Sequence, residues 1–459
     1  MRSLKYLLTA ALMLGLSAGA YAELQNVEIG GQLTIRGNYL DGDGASMVPN
    51  VSWVEQRTRL NIKADFTDEV TTFFEFDHYN AWGEDFRSDY VTGLDFRGNG
   101  DVALYQAYIE ASEMWGVPLR ARIGRQEIAL GSQWLVGVND ANAFPTGLSF
   151  DAIRLTYGSE ADMFTLDAIW AKLNERAGDI FDDDTDMYAI YGSYLGLEDI
   201  ALDAYWIWVR DDNPGQLPFA GINNVLDVDI HTIGLRGAGT VGAFDFEAEA
   251  AYQWGEIDRP RVNLFRTQNF DYGEWALNLE LGYTFDMQMN PRVHAGFAYF
   301  GGSDPANSNR RWGLFGLRGG DTDLSFNRLF SNKEYSKFLD NWDRDLTNVL
   351  IYNLGLSIMP TESLELALVG SYFQVDDELI TRRWFRQQRA GDSLGYEVGI
   401  NADYHYTEDL VFRAGYAHFF ARSGMFDNNA VVNNGLTRVF ADTTGDNYNY
   451  LFFETEISF

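Results

Sequence analysis

Apolar and polar residues take turns along most of this chain, with a period of two. Leu33, Ile35 and Tyr39 alternate with Gln32, Thr34, Arg36 and Asn38. Thr58, Leu60, Ile62, Ala64 and Phe66 alternate with Arg57, Arg59, Asn61, Lys63 and Asp65, and the pattern returns in 244–253, 275–284 and 396–404. In the last nine residues Leu451, Phe453, Thr455, Ile457 and Phe459 share one face, while Phe452, Glu454, Glu456 and Ser458 share the other. Successive side chains of a strand point to opposite faces. About eighteen such segments, closing on a terminal aromatic, predict an all-β transmembrane barrel with one face in hydrocarbon and the other in water. No run of roughly 18 apolar residues follows the N-terminal segment, which excludes a helical membrane protein.

The connections alternate in length. Short ones fall at 67–69, 158–162, 195–199, 359–363 and 407–409; long ones at 83–100, 211–227, 301–346 and 422–446. Short periplasmic turns and long external loops define an up-and-down antiparallel barrel in the bacterial outer membrane. With about eighteen strands the bore is wide enough for an aqueous channel.

The 459 residues include no cysteine, which removes disulfides, thiol catalysis and cysteine metal sites together. Glycine (45), tyrosine (25), phenylalanine (32) and tryptophan (12) supply turns and interfacial rings. Arg2 and Lys5, an apolar stretch over 6–16 and the small-x-small site Ala20-Tyr21-Ala22 read as a signal peptide over 1–22, leaving a barrel over 23–459. Strand 1 is expected within about ten residues of Glu23, which leaves no room for a plug domain. At a formal charge of −33 the chain is not a nucleic-acid binder. Its acidic run 179–186 (DIFDDDTD) reads as a solvated loop, with a Ca²⁺ site or lipopolysaccharide bridging as the alternative.

Function is read from the inward half. Parity places Arg36, Arg57, Arg59, Arg122 and Arg154 near mid-depth on strands 1, 2, 5 and 6, and Lys63, Arg236, Arg292 and Arg413 nearer the periplasmic mouth. The inward acids are Glu75, Asp77, Glu110, Asp167, Asp203, Glu247, Glu249, Glu280, Glu365, Glu397 and Asp403. Three readings stay open: charges paired along the wall to keep the bore wet, a guanidinium ladder that attracts carboxylates, or basic and acidic walls with a transverse field. The five histidines (His78, His231, His294, His405, His418) are scattered over different strands, and no G-x-S-x-G accompanies them. No enzyme, metal site or cofactor is therefore expected.

Glu55-Gln56-Arg57-Thr58-Arg59-Leu60, Tyr105-Gln106-Ala107-Tyr108, Gly124-Arg125-Gln126-Glu127, Gly131, Leu135-Val136-Gly137 and Phe150-Asp151-Ala152-Ile153-Arg154 follow one another in the first third of the chain. In this order they resemble the alginate-export family of outer-membrane barrels. The resemblance implies an arginine-rich constriction that passes an anionic polysaccharide, with Arg57, Arg59, Arg125 and Arg154 at motif positions and Glu127 and Asp151 beside them. It also implies that the external loop 127–150 packs inside; Asn139, Asp140, Ala141, Asn142 and Gly147 read as its turns on sequence grounds. In plain alternation Arg125 points outward and reaches the lumen only through a bulge at Gly124 or from a position above the apolar band. The expected function is a passive outer-membrane channel for an alginate-like polysaccharide, with a diffusion porin for small solutes as the alternative. The partners are membrane lipid, the transported solute and, for export, a periplasmic scaffold. Mass spectrometry of the mature protein should find Glu23 at its N-terminus; an intact Met1 would remove the signal-peptide reading.

Overall fold

Hydrocarbon offers a strand no water, so each stave of a membrane sheet needs hydrogen-bonding neighbours on both edges. The computed structural model meets that requirement. It describes residues 24–42, 50–83, 102–140, 146–159, 161, 163–175, 184–217, 222–258, 270–302, 322–339, 346–376, 380–383, 386–389, 391–422 and 447–459. The expected signal segment 1–22 lies outside them, as does 179–183 of the acidic run.

The first strands are β1 (Asn26–Gly42), β2 (Val51–Thr67), β3 (Val70–Ala81), β4 (Ala103–Ala111), β5 (Leu119–Gln126), β6 (Phe150–Ser159) and β7 (Phe164–Asn174). Then come β8 (Thr185–Leu197), β9 (Ile200–Leu217), β10 (Ile222–Val241), β11 (Phe244–Asp258), β12 (Phe270–Thr284), β13 (Arg292–Phe300) and β14 (Thr322–Leu324). The last are β15 (Val349–Thr361), β16 (Leu364–Val375), β17 (Ile380–Arg383), β18 (Arg386–Arg389), β19 (Ser393–His405), β20 (Leu410–Ala421) and β21 (Tyr448–Ser458). Among the described residues eighteen of these form one antiparallel circuit, closed where β21 pairs with β1. Short β14 adds in parallel to β12, and β17 with β18 makes a separate hairpin.

The faces are inverted relative to a soluble protein. Ile29 (65%), Leu235 (67%) and Leu354 (62%) are exposed, while Gln253 (0%), Thr232 (0%) and Glu454 (3%) are buried. That is the distribution expected when lipid replaces water outside and the bore holds the polar groups. Rings border the apolar belt at both ends. On the long-loop side Tyr188–Trp208, Trp208–His231 and His231–Trp254 stack at 5.0, 5.4 and 5.2 Å, and Tyr252 meets Trp275 at a tilt at 4.8 Å. On the short-turn side Tyr157–Phe164 and Phe244–Tyr283 meet at 6.0 and 4.7 Å. Amphipathic rings suit the headgroup level.

One boundary departs from the sequence expectation. The stretch 211–227 was expected as a long connection, yet β9 runs to Leu217 and β10 begins at Ile222. Above the belt water bathes both faces, so strand pairing continues after hydrophobic alternation has stopped. The register slips there, opposite the segment that holds Pro214, as proline in a sheet requires. Leu354→Arg, which puts a charge on the lipid face midway along β15, should cost about 2–4 kcal/mol. Urea titration in lipid vesicles measures it, and an unchanged midpoint would contradict lipid exposure.

Candidate functional site

Apart from one bulge in β4, the bore is lined as parity requires on its β1–β6 sector. Gln32, Thr34, Arg36 and Asn38 of β1 face inward, as do Glu55, Arg57, Arg59 and Lys63 of β2. Arg36 bonds Glu454 across the closing seam at 2.5 Å. Arg57 donates to Gln32 Oε1 at 2.8 Å. Lys63, near the short-turn mouth, is half-exposed and lies 3.4 Å from Asp65. Arg122 and Arg154 stand directly opposite each other on β5 and β6. Like charges so placed repel, and each turns to its own acid: Arg122 to Glu110 at 2.6 Å and Arg154 to Asp167 at 2.8 Å through a two-point contact.

Arg59 is the hub. Its Nε lies 3.3 Å from both Glu75 and Asp77 on β3, and its Nη1 lies 3.4 Å from Glu127. Its guanidinium covers the Tyr105 ring at 4.1 Å, and the Tyr105 hydroxyl donates to Glu127 at 2.7 Å. Tyr105 reaches the bore because the register of β3 with β4 slips between Glu75 and Phe76. This bulge aims both Tyr105 and Gln106 inward. Simple alternation misses Tyr105; the Tyr-Gln-Ala-Tyr run was the available signal.

Arg125 and Asp151 are placed elsewhere. They pair bidentately at 2.8 Å on the face that carries Ile123 and Ile153, outside the bore. The register of β5 runs unbroken past Gly124 on both edges, so no bulge turns Arg125 inward. Gly124 (φ +132°) serves another need: a Cβ there would collide with the Ala107 carbonyl and Tyr108. Glycine allows that close approach.

Two segments fill part of the barrel. The loop from Glu127 to 149, described over 127–140 and 146–149, folds inward and buries Ile128, Trp134, Leu135 and Val136. Asn139 (φ 51°) and Gly147 (φ 76°) take the left-handed conformations of its turns. The segment 325–339 lies against it. Phe330 and Val136 form a parallel bridge, and Trp134 packs on Phe300 and Phe326 at 5.8 and 6.4 Å. The Trp134 indole donates to the Tyr335 hydroxyl at 2.9 Å, which in turn donates to Asn278 on β12.

The second segment crosses from β11 and β12 to β19 and β21. Asn327 exchanges two bonds with Gln253, Lys333 reaches Glu280 at 2.6 Å, and Phe338 stacks on Tyr448 at 3.9 Å. Glu397 clamps it, accepting from Ser336 Oγ (2.6 Å) and the amides of Lys337 (2.9 Å) and Phe338 (3.2 Å). Sequence reasoning expected only the first loop inside. The signal for the second was its apolar residues Phe326, Leu329, Phe330, Phe338 and Leu339, which a solvated loop does not need.

Other inward cations are matched as well. Arg236 bonds Asp203 and Glu247 at 2.7 and 3.0 Å, Arg292 bonds Asp245 at 2.5 Å, and Arg413 bonds Glu454 at 2.7 Å. In the described part of the acidic run Asp184 and Asp186 hold Lys172 at 3.0 and 2.8 Å.

An apolar belt, two aromatic girdles and a polar, loop-constricted bore define a channel of the bacterial outer membrane. The chain belongs to the alginate-export family, whose profile (Alginate export) matches residues 25–435. No curated protein sequence matches it. Among solved structures it is similar to Pseudomonas aeruginosa OpdL, with a TM-score of 0.56 and 11% identity over 95% of this chain and 99% of that one. It is also similar to Pseudomonas aeruginosa OccK2 (OpdF) in complex with glucuronate, with a TM-score of 0.54 and 12% identity over 94% and 98%. Acinetobacter baumannii OccAB3 follows, at 0.52 and 12% over 94% and 100%. At such identities the likeness is one of fold.

Glu397→Ala strands a hydroxyl and two amides, and should weaken docking of 325–339 by roughly 2–3 kcal/mol. Limited proteolysis should then cut that segment while the barrel stays intact; wild-type resistance would show that Glu397 does not hold it.

Proposed function

We propose that the chain is a passive channel that exports an alginate-like anionic polysaccharide across the outer membrane, with the arginines of β1, β2, β5 and β6 as its carboxylate track. The observation that carries this reading is the pairing of those arginines. Arg36, Arg59, Arg122 and Arg154 are held by wall carboxylates, and Arg57 stands beside Arg59 on the same face. A uronate carboxylate that replaces a wall carboxylate exchanges one charged bond for another, so each site is weak. Weak, repeated sites are what conduction needs, since solute must leave as readily as it binds. Arginine suits the task because its charge is permanent and its fork matches a carboxylate.

Membership of the alginate-export family supports the polymer reading. So does the glucuronate held by a protein of the same fold, since glucuronate is a single acidic sugar. Polymer export calls for a periplasmic scaffold that delivers the chain to the short-turn mouth. A second reading, a porin for small anionic solutes, draws on the dry core that Trp134, Phe300 and Phe326 build across part of the bore. A narrow bore suits monomers.

Planar-bilayer recording with acidic and neutral oligosaccharides separates the two. Export predicts submillimolar block by oligouronates that strengthens with length, weakened about tenfold or more by Arg57→Gln, Arg59→Gln or Arg154→Gln; losing a charged bond is worth that much. Block independent of length and charge would overturn it.

A further inference from the structure

Arg59 holds an incomplete site. Its side chain is nine-tenths buried (10% exposed), and its Nη2 has no hydrogen-bond partner among the described residues. The Nε edge is shared by two wall carboxylates, Glu75 and Asp77. The outer edge, formed by Nη1 and Nη2, meets one oxygen of Glu127 through Nη1 alone. At 3.4 Å that contact is longer than the 2.7–2.9 Å of a strong charged bond. Glu127 differs from the other two acids in kind: it belongs to the loop, as the first residue after β5, and is 28% exposed where they are 8% and 6%. The far end of the same loop also rests here. A Cβ at Gly147 would overlap Arg59 Nη2 and the Tyr105 hydroxyl, and its φ of 76° keeps the position for glycine. Both ends of the loop therefore converge on one guanidinium.

We propose that Glu127 is a tethered competitor, a loop carboxylate that keeps the place of a solute carboxylate on Arg59. The inference rests on the acidic-saccharide reading given above. An arriving uronate can use both Nη1 and Nη2, where Glu127 uses one. The planar two-point geometry therefore favours the solute once it is present. Filling Nη2 displaces Gly147, so exchange at Arg59 moves the Glu127 side chain and Gly147 off the guanidinium, while Ile128 and Leu148 beside them stay in the apolar core. With no acidic solute present, Glu127 returns, its amide held by Gln106 Oε1 at 3.0 Å and its carboxylate by Tyr105. Glu127 thus sets how strongly an acidic solute must bind to open this side of the bore.

The test uses the full-length channel in planar bilayers, with trigalacturonate as the probe. Glu127→Gln removes the competing charge yet leaves an amide oxygen to accept from Tyr105. It should tighten trigalacturonate block about fivefold, the worth of one partly exposed ion pair, and shift the KCl reversal potential toward anion selectivity. Glu365→Gln removes an equal charge from another sector of the wall and should alter block less than twofold. Resistance of the unheated barrel to SDS checks that each variant is folded. Block by Glu127→Gln equal to wild type, where Arg59→Gln weakens it, overturns the competitor. If wild type shows no uronate block, the acidic-saccharide reading fails. The reversal potential then still decides the competitor, and no shift in Glu127→Gln overturns it.

Discussion

Every other feature of this molecule follows from the demand that backbone amides find partners in a medium that offers none. Eighteen staves satisfy one another only by closing, and closure between β21 and β1 leaves no lipid-exposed edge among them. Closure fixes parity. Once Phe453 and Leu451 face hydrocarbon, Glu454 and Phe452 have nowhere to go but the bore. Polar groups that would be surface residues in a soluble protein thus become the interior, and each must be satisfied there.

That demand explains the charge pattern of the bore. A buried guanidinium without a counter-charge is costly, and one inside a neutral wall would bind an anionic solute too firmly to release it. Carboxylates on neighbouring strands meet both problems. Arg122 with Glu110 and Arg154 with Asp167 are paired and partly neutralised, which is the kind of polar surface that the proposed passage of a charged sugar calls for. Aromatic neighbours help: Arg36, Arg59 and Arg122 lie 5.2, 4.1 and 4.5 Å from the centroids of Phe452, Tyr105 and Tyr108. Those rings brace the guanidiniums at little cost in hydration.

The staves were legible in the sequence because a side-chain period of two needs no tertiary information. The inward placement of Arg36, Arg57, Arg59, Arg122 and Arg154 follows from counting, and so does the outward placement of Arg125 once no bulge intervenes. What counting misses is whatever breaks the count. The slip in β4 turns Tyr105 inward, and only the pairing partner on β3 reveals it. Loop 127–149 was expected inside through resemblance, whereas 325–339 was not expected there. Its anchors, Gln253, Glu280, Asn278 and Glu397, come from strands up to 74 residues away. No local pattern encodes such contacts.

The two inserted segments are held by different forces, and the difference bears on which can move. Segment 325–339 is fixed by buried apolar stacking and by a carboxylate that gathers three donors, so releasing it breaks many contacts at once. The middle of loop 127–149 shares that dry core through Trp134 and Val136. Ile128 and Leu148 pack there too, but the neighbouring Glu127 side chain and Gly147 rest on Arg59 and Tyr105, where one long ion pair and one hydroxyl carry the side-chain contact. An ion pair can be exchanged for another ion pair at small net cost, but a stacked indole has no substitute in water. The exchange proposed at Arg59 is therefore local, confined to the Glu127 side chain and the Gly147 turn, between neighbours that the Trp134 core holds in place.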